Sequence, residues 1–146
     1  TVTIKLPFAA QTEADTKTTT PAKTVKQKRI LVIDDEMVVR GVIQEILQDE
    51  GYQVVDAATG EDGIILFNKE HFDLVITDLG MPVMSGWDVT QILKSINQEV
   101  PVILLTGWAT QTDLVKAKES GVDMVLGKPI SSNDLVEAVL QILKKN

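Results

Sequence analysis

Three acids, one hydroxyl and one lysine in this chain stand at the ends of apolar runs. Asp34 and Asp35 follow Ile30-Leu31-Val32-Ile33, and Asp78 follows Leu74-Val75-Ile76-Thr77. Thr106 follows Val102-Ile103-Leu104-Leu105, and Lys128 with Pro129 comes just after the stretch Val122 to Leu126. Short apolar runs rich in Val and Ile, bounded by polar or Gly/Pro residues, read as strands buried on both faces of a parallel sheet. In an open α/β sheet the carboxyl ends of such strands share one rim, and ligands bind there. These side chains are therefore expected to converge.

Convergence has a chemical consequence. Two like charges about 4 Å apart repel by roughly 4 kcal/mol at an effective dielectric near 20. Asp34, Asp35 and Asp78 persist together only if a cation relieves them or a proton neutralises one of them. All-oxygen ligation without His or Cys suits Mg²⁺, with Mn²⁺ as the alternative ion. A carboxylate beside such a metal can attack a phosphoryl group and form an aspartyl phosphate. Metal and lysine would then neutralise the phosphoryl oxygens while a hydroxyl donates to one of them. Asp78, the single acid ending the central strand, suits the nucleophile; Asp34 and Asp35 suit metal binding. Taken singly, Asp35 reads as a helix cap, Thr106 as a strand residue and Lys128-Pro129 as a loop. Their joint placement favours the site.

Composition narrows the class. A chain of 146 residues with 44% hydrophobic and 24% charged residues is ordinary globular material, long enough for one domain and its core. No apolar run is long enough to span a bilayer, and no cysteine is present for disulfides or thiolate metal sites, which fits a cytoplasmic protein. Residues 1–28 hold five lysines against Glu13 and Asp15, a balance of +3. The remainder carries nine basic and nineteen acidic residues, or -10. Such an acidic domain argues against nucleic-acid binding and suits a cation. The one histidine, His71, lies away from the strand ends and reads as a surface side chain.

The elements that must position the site alternate from Lys28 onward. Val39, Val42, Ile43, Ile46 and Leu47 recur at helical spacing until Gly51 stops the helix. Tyr52 to Ala57 reads as a strand. Thr59 caps a helix to about Glu70 with Ile64, Ile65 and Phe67 for its buried side, and Asp73 to Thr77 is the third strand. Ser85 caps a helix carrying Val89, Ile92, Leu93 and Ile96; Val100 to Leu105 is the fourth strand. A polar helix over Thr110 to Ser120, a strand over Val122 to Leu126 and a helix with Leu135, Val139, Ile142 and Leu143 complete five βα repeats. Five repeats predict a three-layer, doubly wound α/β domain with a five-stranded parallel sheet. Ahead of it, residues 1–8 alternate like a strand, and residues 9–27, with six threonines, read as a flexible linker. The chain opens in mid-strand on Thr1, as if cut from a longer polypeptide.

The strings ILVIDDE, VITDLGMPVMSG, PVILLTG and GVDMVLGKP resemble, in order and spacing, the receiver domain of two-component response regulators over residues 28–146. The resemblance implies a flavodoxin-like fold of strand order 2-1-3-4-5 and a domain that catalyses its own phosphorylation and dephosphorylation. It implies that Asp78 accepts a phosphoryl group from phosphohistidine. Mg²⁺ would be held by Asp35, Asp78 and the main-chain carbonyl of Gly80, with Asp34 acting through a water. Thr106 would be the switch hydroxyl, Lys128 would contact the phosphoryl group, and the Lys128–Pro129 bond would be cis. The implied partner is a histidine kinase or histidine phosphotransfer domain, without nucleic-acid or membrane contact; a homodimer is left open.

One departure from the family pattern is Val125, where receivers usually carry Tyr or Phe three residues before the lysine. Trp108, two residues after Thr106, is a candidate for controlling water access, or an exposed loop residue; Trp87 reads as packing. The opening string TVTIKLPF resembles the final strand of the ATP-binding domain of sensor histidine kinases. With the linker and the receiver it looks like the end of a hybrid histidine kinase, whose parent chain can be membrane-anchored. The competing readings are a degenerate receiver used only for docking and a small phosphatase with Asp78 as nucleophile. The phosphatase would want a second acid at the position of Gly80.

Overall fold

The computed structural model describes residues 28–107 and 111–145. The expectations for residues 1–8 and 9–27 lie outside them. The described chain runs β1 (Arg29–Ile33), α1 (Met37–Asp49), β2 (Gln53–Ala57), α2 (Gly60–Lys69), β3 (Leu74–Asp78), α3 (Gly86–Ile96), β4 (Val102–Thr106), α4 (Gln111–Ser120), β5 (Met124–Gly127) and α5 (Ser132–Lys145). All strand pairs are parallel, in the order β2-β1-β3-β4-β5. This is the doubly wound sheet that the five repeats predict, in the flavodoxin-like order 2-1-3-4-5 that the resemblance implies. Successive connections leave β1 and β3 in opposite directions, so a crevice opens where the order reverses.

Period-two alternation assigns each strand residue to one of two cores. Ile30, Val32, Leu74, Ile76, Ile103 and Leu105 face α1 and α5, where they meet Ile43, Leu47, Leu135, Val139 and Ile142. Leu31, Ile33, Val75 and Val102 face α2 and α3, where they meet Phe67, Val89 and Leu93. Each such Leu, Ile or Phe contributes about 1.5–3 kcal/mol by leaving water. Burial on both faces holds for β1, β3 and β4 but not for β5, whose residues are half-buried or exposed. β5 is an edge strand, with a neighbour on one side only, so its apolar run is covered less completely. Ile65 is likewise 51% exposed, whereas Gly60, Gly63 and Phe67 form the buried stripe of α2. Small residues there let the helix lie directly against Ile33.

The helix starts follow local chemistry. The Thr59 hydroxyl accepts the Asp62 N–H, and Ser85 with Asp88 forms a reciprocal capping box at α3. Gly86, the first residue of α3, lies against the backbone of the Asp78 strand end. A Cβ there would come 2.6 Å from the Asp78 main-chain oxygen and 2.6 Å from Leu104 Cδ1. The Gly86 N–H also donates to the Leu79 carbonyl at 3.1 Å. A methyl group would thus push α3 off β3. Gly86→Ala is expected to lower stability by about 1–3 kcal/mol, read as a lower urea midpoint. An unchanged midpoint would show that this approach does not constrain the site strand.

Candidate functional site

β3 runs one residue further than the apolar pattern, so Asp78 is the last residue of a wholly buried strand. Its side chain emerges beside those that follow β1. One carboxylate oxygen from each of Asp34, Asp35 and Asp78 lies within 4.8 Å of the others. Asp34 and Asp78 are buried, and Asp35 is exposed. A cleft of about 550 Å³ is lined by Asp35, Glu36, Asp78, Gly80, Thr106 and Lys128. The six sequence-nominated residues therefore meet: five line this cleft or close its floor directly, and Asp34 sits beneath them.

Lys128 bridges the acids. Its Nζ lies 3.0 Å from Asp78 Oδ1, 3.1 Å from Asp34 Oδ2 and 3.3 Å from Glu36 Oε1. The lysine reaches this point because its backbone is continuous with the sheet: its N–H donates to the Thr106 carbonyl at 2.8 Å. The Lys128–Pro129 bond is cis, as the resemblance implied. Thr106, buried at the end of β4, shares the cleft. The α1 cap position falls to Glu36, which makes no side-chain cap bond, so Asp35 is not spent on capping. His71 is 76% exposed and lies against Asp73, away from the cleft. Trp87 packs with Leu104, Ala117 and Val125, as the packing reading expects. The Trp108 expectation falls outside the described residues.

Sequence reasoning overlooked two residues. Glu36 supplies a third carboxylate to Lys128, and Arg40 donates from Nη1 to the Asp34 main-chain carbonyl at 2.7 Å. Their signal was available: Glu36 continues the Asp34-Asp35 run, and Arg40 stands four residues on at helical spacing.

The ion-pair network is unequal. Burial pulls the Lys128 ammonium down, but its hydrogen bonds to Asp78 and Asp34, with their charges, more than reverse this and hold it above the usual lysine value. Asp34 moves the other way. Burial raises its carboxyl above the ordinary value, helped by the Asp78 charge and opposed by the Glu36 N–H and Lys128. One ammonium shared among several carboxylates does not replace the hydration that Asp34 has lost. Its Oδ1 accepts the Glu36 N–H at 2.8 Å, while the buried Oδ2 faces the shared Lys128 ammonium at 3.1 Å. Three oxygens this close, two of them from carboxylates that share a single ammonium, and with no imidazole or thiolate beside them, fit a hard divalent cation such as Mg²⁺.

The model of the response regulator receiver domain family matches residues 30–140. "Probable transcriptional regulator ycf27" of Porphyridium aerugineum is 36% identical over 121 residues, which is 83% of this chain and 50% of that protein. Among solved structures, the CheY-like response regulator receiver domain protein of Methanospirillum hungatei superposes with a TM-score of 0.79 at 30% identity, covering 82% of this chain and 96% of that one. The signal receiver domain of a signal transduction histidine kinase from Syntrophus aciditrophicus gives 0.74 at 29% identity, covering 81% and 91%. The chain belongs to the response regulator receiver domain family of two-component systems. It spans about half the length of the curated relatives it matches.

Removing the Asp34 charge should release the strain of its burial. Asp34→Asn is expected to raise stability at pH 7, without divalent cations, read as a higher urea midpoint. Because the folded carboxyl sits above its unfolded value of about 3.9, the wild type carries no such penalty below that pH. The penalty grows as pH rises through the folded value. The advantage of the variant should therefore vanish in acid, and urea midpoints compared at pH 3.5 and pH 7 measure this. A gap independent of pH would refute it.

Proposed function

We propose that this domain is a phosphoacceptor switch in which Asp78 takes a phosphoryl group from a phosphohistidine. The observation that carries the reading is the meeting of the Asp34, Asp35 and Asp78 oxygens within 4.8 Å, with Lys128 Nζ 3.0 Å from Asp78 and Thr106 on the same cleft. A carboxylate oxygen of Asp78 attacks phosphorus, and the phosphorus–nitrogen bond breaks with its electron pair left on the imidazole. Lys128 moves its ammonium from the Asp78 carboxylate to a phosphoryl oxygen. Thr106 turns its hydroxyl toward a second oxygen, which makes it the switch residue. Asp35, Asp78 and the Gly80 carbonyl would hold Mg²⁺, with Asp34 supporting it through water. A bound Mg²⁺ supplies positive charge against the phosphoryl oxygens. Hydrolysis of the acyl phosphate returns the switch to its resting state.

The partner is then a histidine kinase or a histidine phosphotransfer domain, meeting the cleft from the solvent side. Residues 28–146 form the receiver, with residues 1–8 the tail of a preceding domain and 9–27 a linker. Placement within a hybrid histidine kinase rests on residues 1–27 together with the Syntrophus domain, which by its description comes from a histidine kinase. The curated relatives, transcriptional regulators by name, give that placement no support. No described helix is long and apolar enough to cross a membrane. Val125 at the usual aromatic position favours a second reading, a receiver used only for docking.

Intact mass after incubation with acetyl phosphate decides between these. The expected result is a single adduct of one phosphoryl group that requires Mg²⁺ and is absent in Asp78→Asn. If a control receiver is modified and this chain is not, the docking reading prevails.

A further inference from the structure

Asp34 and Asp35 are neighbours in sequence yet deliver their carboxylates to one point. In extended chain, successive side chains point to opposite faces. The backbone must therefore leave strand geometry after Ile33, and something must hold the turned peptide. Three bonds converge on Asp34. Its N–H donates to the Ala57 carbonyl at 3.2 Å, which keeps it on the end of β2. Its Oδ1 accepts the Glu36 N–H at 2.8 Å, closing a local turn. Its main-chain carbonyl accepts from Arg40 Nη1 at 2.7 Å. That carbonyl belongs to the peptide joining Asp34 to Asp35, so the plane it defines sets how the two side chains are directed.

Arg40 is well placed for this task. It lies in the first part of α1, and long helical side chains lean back toward the N-terminus, which brings the guanidinium over the β1–α1 turn. Its Nε donates to Asp56 Oδ2 at 2.9 Å, so the fork is oriented from β2 as well. The Arg40 side chain is largely buried although charged, and Asp56 offsets the charge locally. A lysine could satisfy the carbonyl or the carboxylate, but not both with fixed geometry.

We propose that Arg40, oriented by Asp56, is a positioning residue for the acidic site: it locks the Asp34–Asp35 peptide so that both carboxylates face the bound divalent cation. The inference rests on the metal-site reading above and extends it to a residue outside the cleft. Outer partners of this kind typically change metal affinity by about 10–100-fold when removed.

The test is a Mg²⁺ titration of the 146-residue chain followed through the backbone amide signals of Asp35 and Gly80, with thermal melting of each metal-free variant alongside. Arg40→Gln should weaken Mg²⁺ binding about tenfold. Arg40→Lys should fall between it and the wild type. Asp56→Asn, which leaves the guanidinium in place but unoriented, should weaken binding less than Arg40→Gln does and keeps the question answerable if Arg40→Gln does not fold. A lower melting temperature with wild-type Mg²⁺ affinity in these variants would overturn the inference, because it is the signature of a purely structural arginine. A wild type that shows no Mg²⁺-dependent shift would overturn the metal reading itself, and the positioning role with it.

Discussion

One ammonium group among crowded carboxylates is the constraint on which the rest of this domain depends. Lys128 meets Asp78, Asp34 and Glu36 at 3.0–3.3 Å, and Asp34 is buried beneath it. Without that cation, the carboxylates at the β1 and β3 ends would repel by several kcal/mol in a medium of reduced dielectric. The parallel sheet helps in a second way. Because every strand is followed by a helix, the helix starts gather on the same rim as the strand ends. Their unpaired N–H groups and dipoles add partial positive charge there. Acids collected at this rim are thus tolerated, though burial, with a smaller contribution from the Asp78 charge, still raises the Asp34 carboxyl above its ordinary value. The residual imbalance favours the divalent cation and the Asp78 chemistry proposed for this site.

Rigidity around that rim comes from the cores on either face. β1, β3 and β4 are enclosed, and they carry Asp34, Asp78 and Thr106 at or just beyond their ends. Side chains that must hold positions within a few tenths of an ångström sit on the least deformable elements of the domain. Gly86 adds a backbone-to-backbone approach that seats α3 against the Asp78 strand end. Lys128 directly follows the edge strand β5, and its long side chain reaches across the strand ends.

Val125 marks where this receiver departs from the usual family pattern. In place of an aromatic ring on β5, the face beneath α4 is filled by Trp87 with Leu104, Ala117 and Val125. The bulk therefore comes from α3, immediately beyond Gly86 and its contact with the Asp78 backbone. Lys116 of α4 lies over the Trp87 ring at 5.4 Å, so α3 and α4 share a contact at this point as well. Ala117 of α4 thus packs against Trp87 of α3 as well as Leu104 of β4.

Much of this was legible from residue order. Val/Ile-rich runs bounded by acids and Gly/Pro established parallel strands, and the caps at Thr59 and Ser85 located helix starts, because these signals are local and depend on neighbours a few residues away. The identity of Asp34, Asp35, Asp78, Thr106 and Lys128 as one group also followed, since parallel strands of similar length place their ends together. Other features depended on contacts between residues far apart in sequence. The partial exposure of β5 reflects its edge position, and the outward face of Ile65 reflects how closely Gly63 lets α2 approach Ile33. The tether from Arg40 to the Asp34 carbonyl, braced by Asp56, requires the turn, the helix and the neighbouring strand to be in place at once. Sequence by itself determined the class of fold and the chemical groups at its rim, because periodicity and strand ends are properties of the chain. Tertiary structure alone decided which carboxylate is buried, which shares the ammonium and what holds the acids in direction, because burial and hydrogen-bond geometry exist only once distant segments meet.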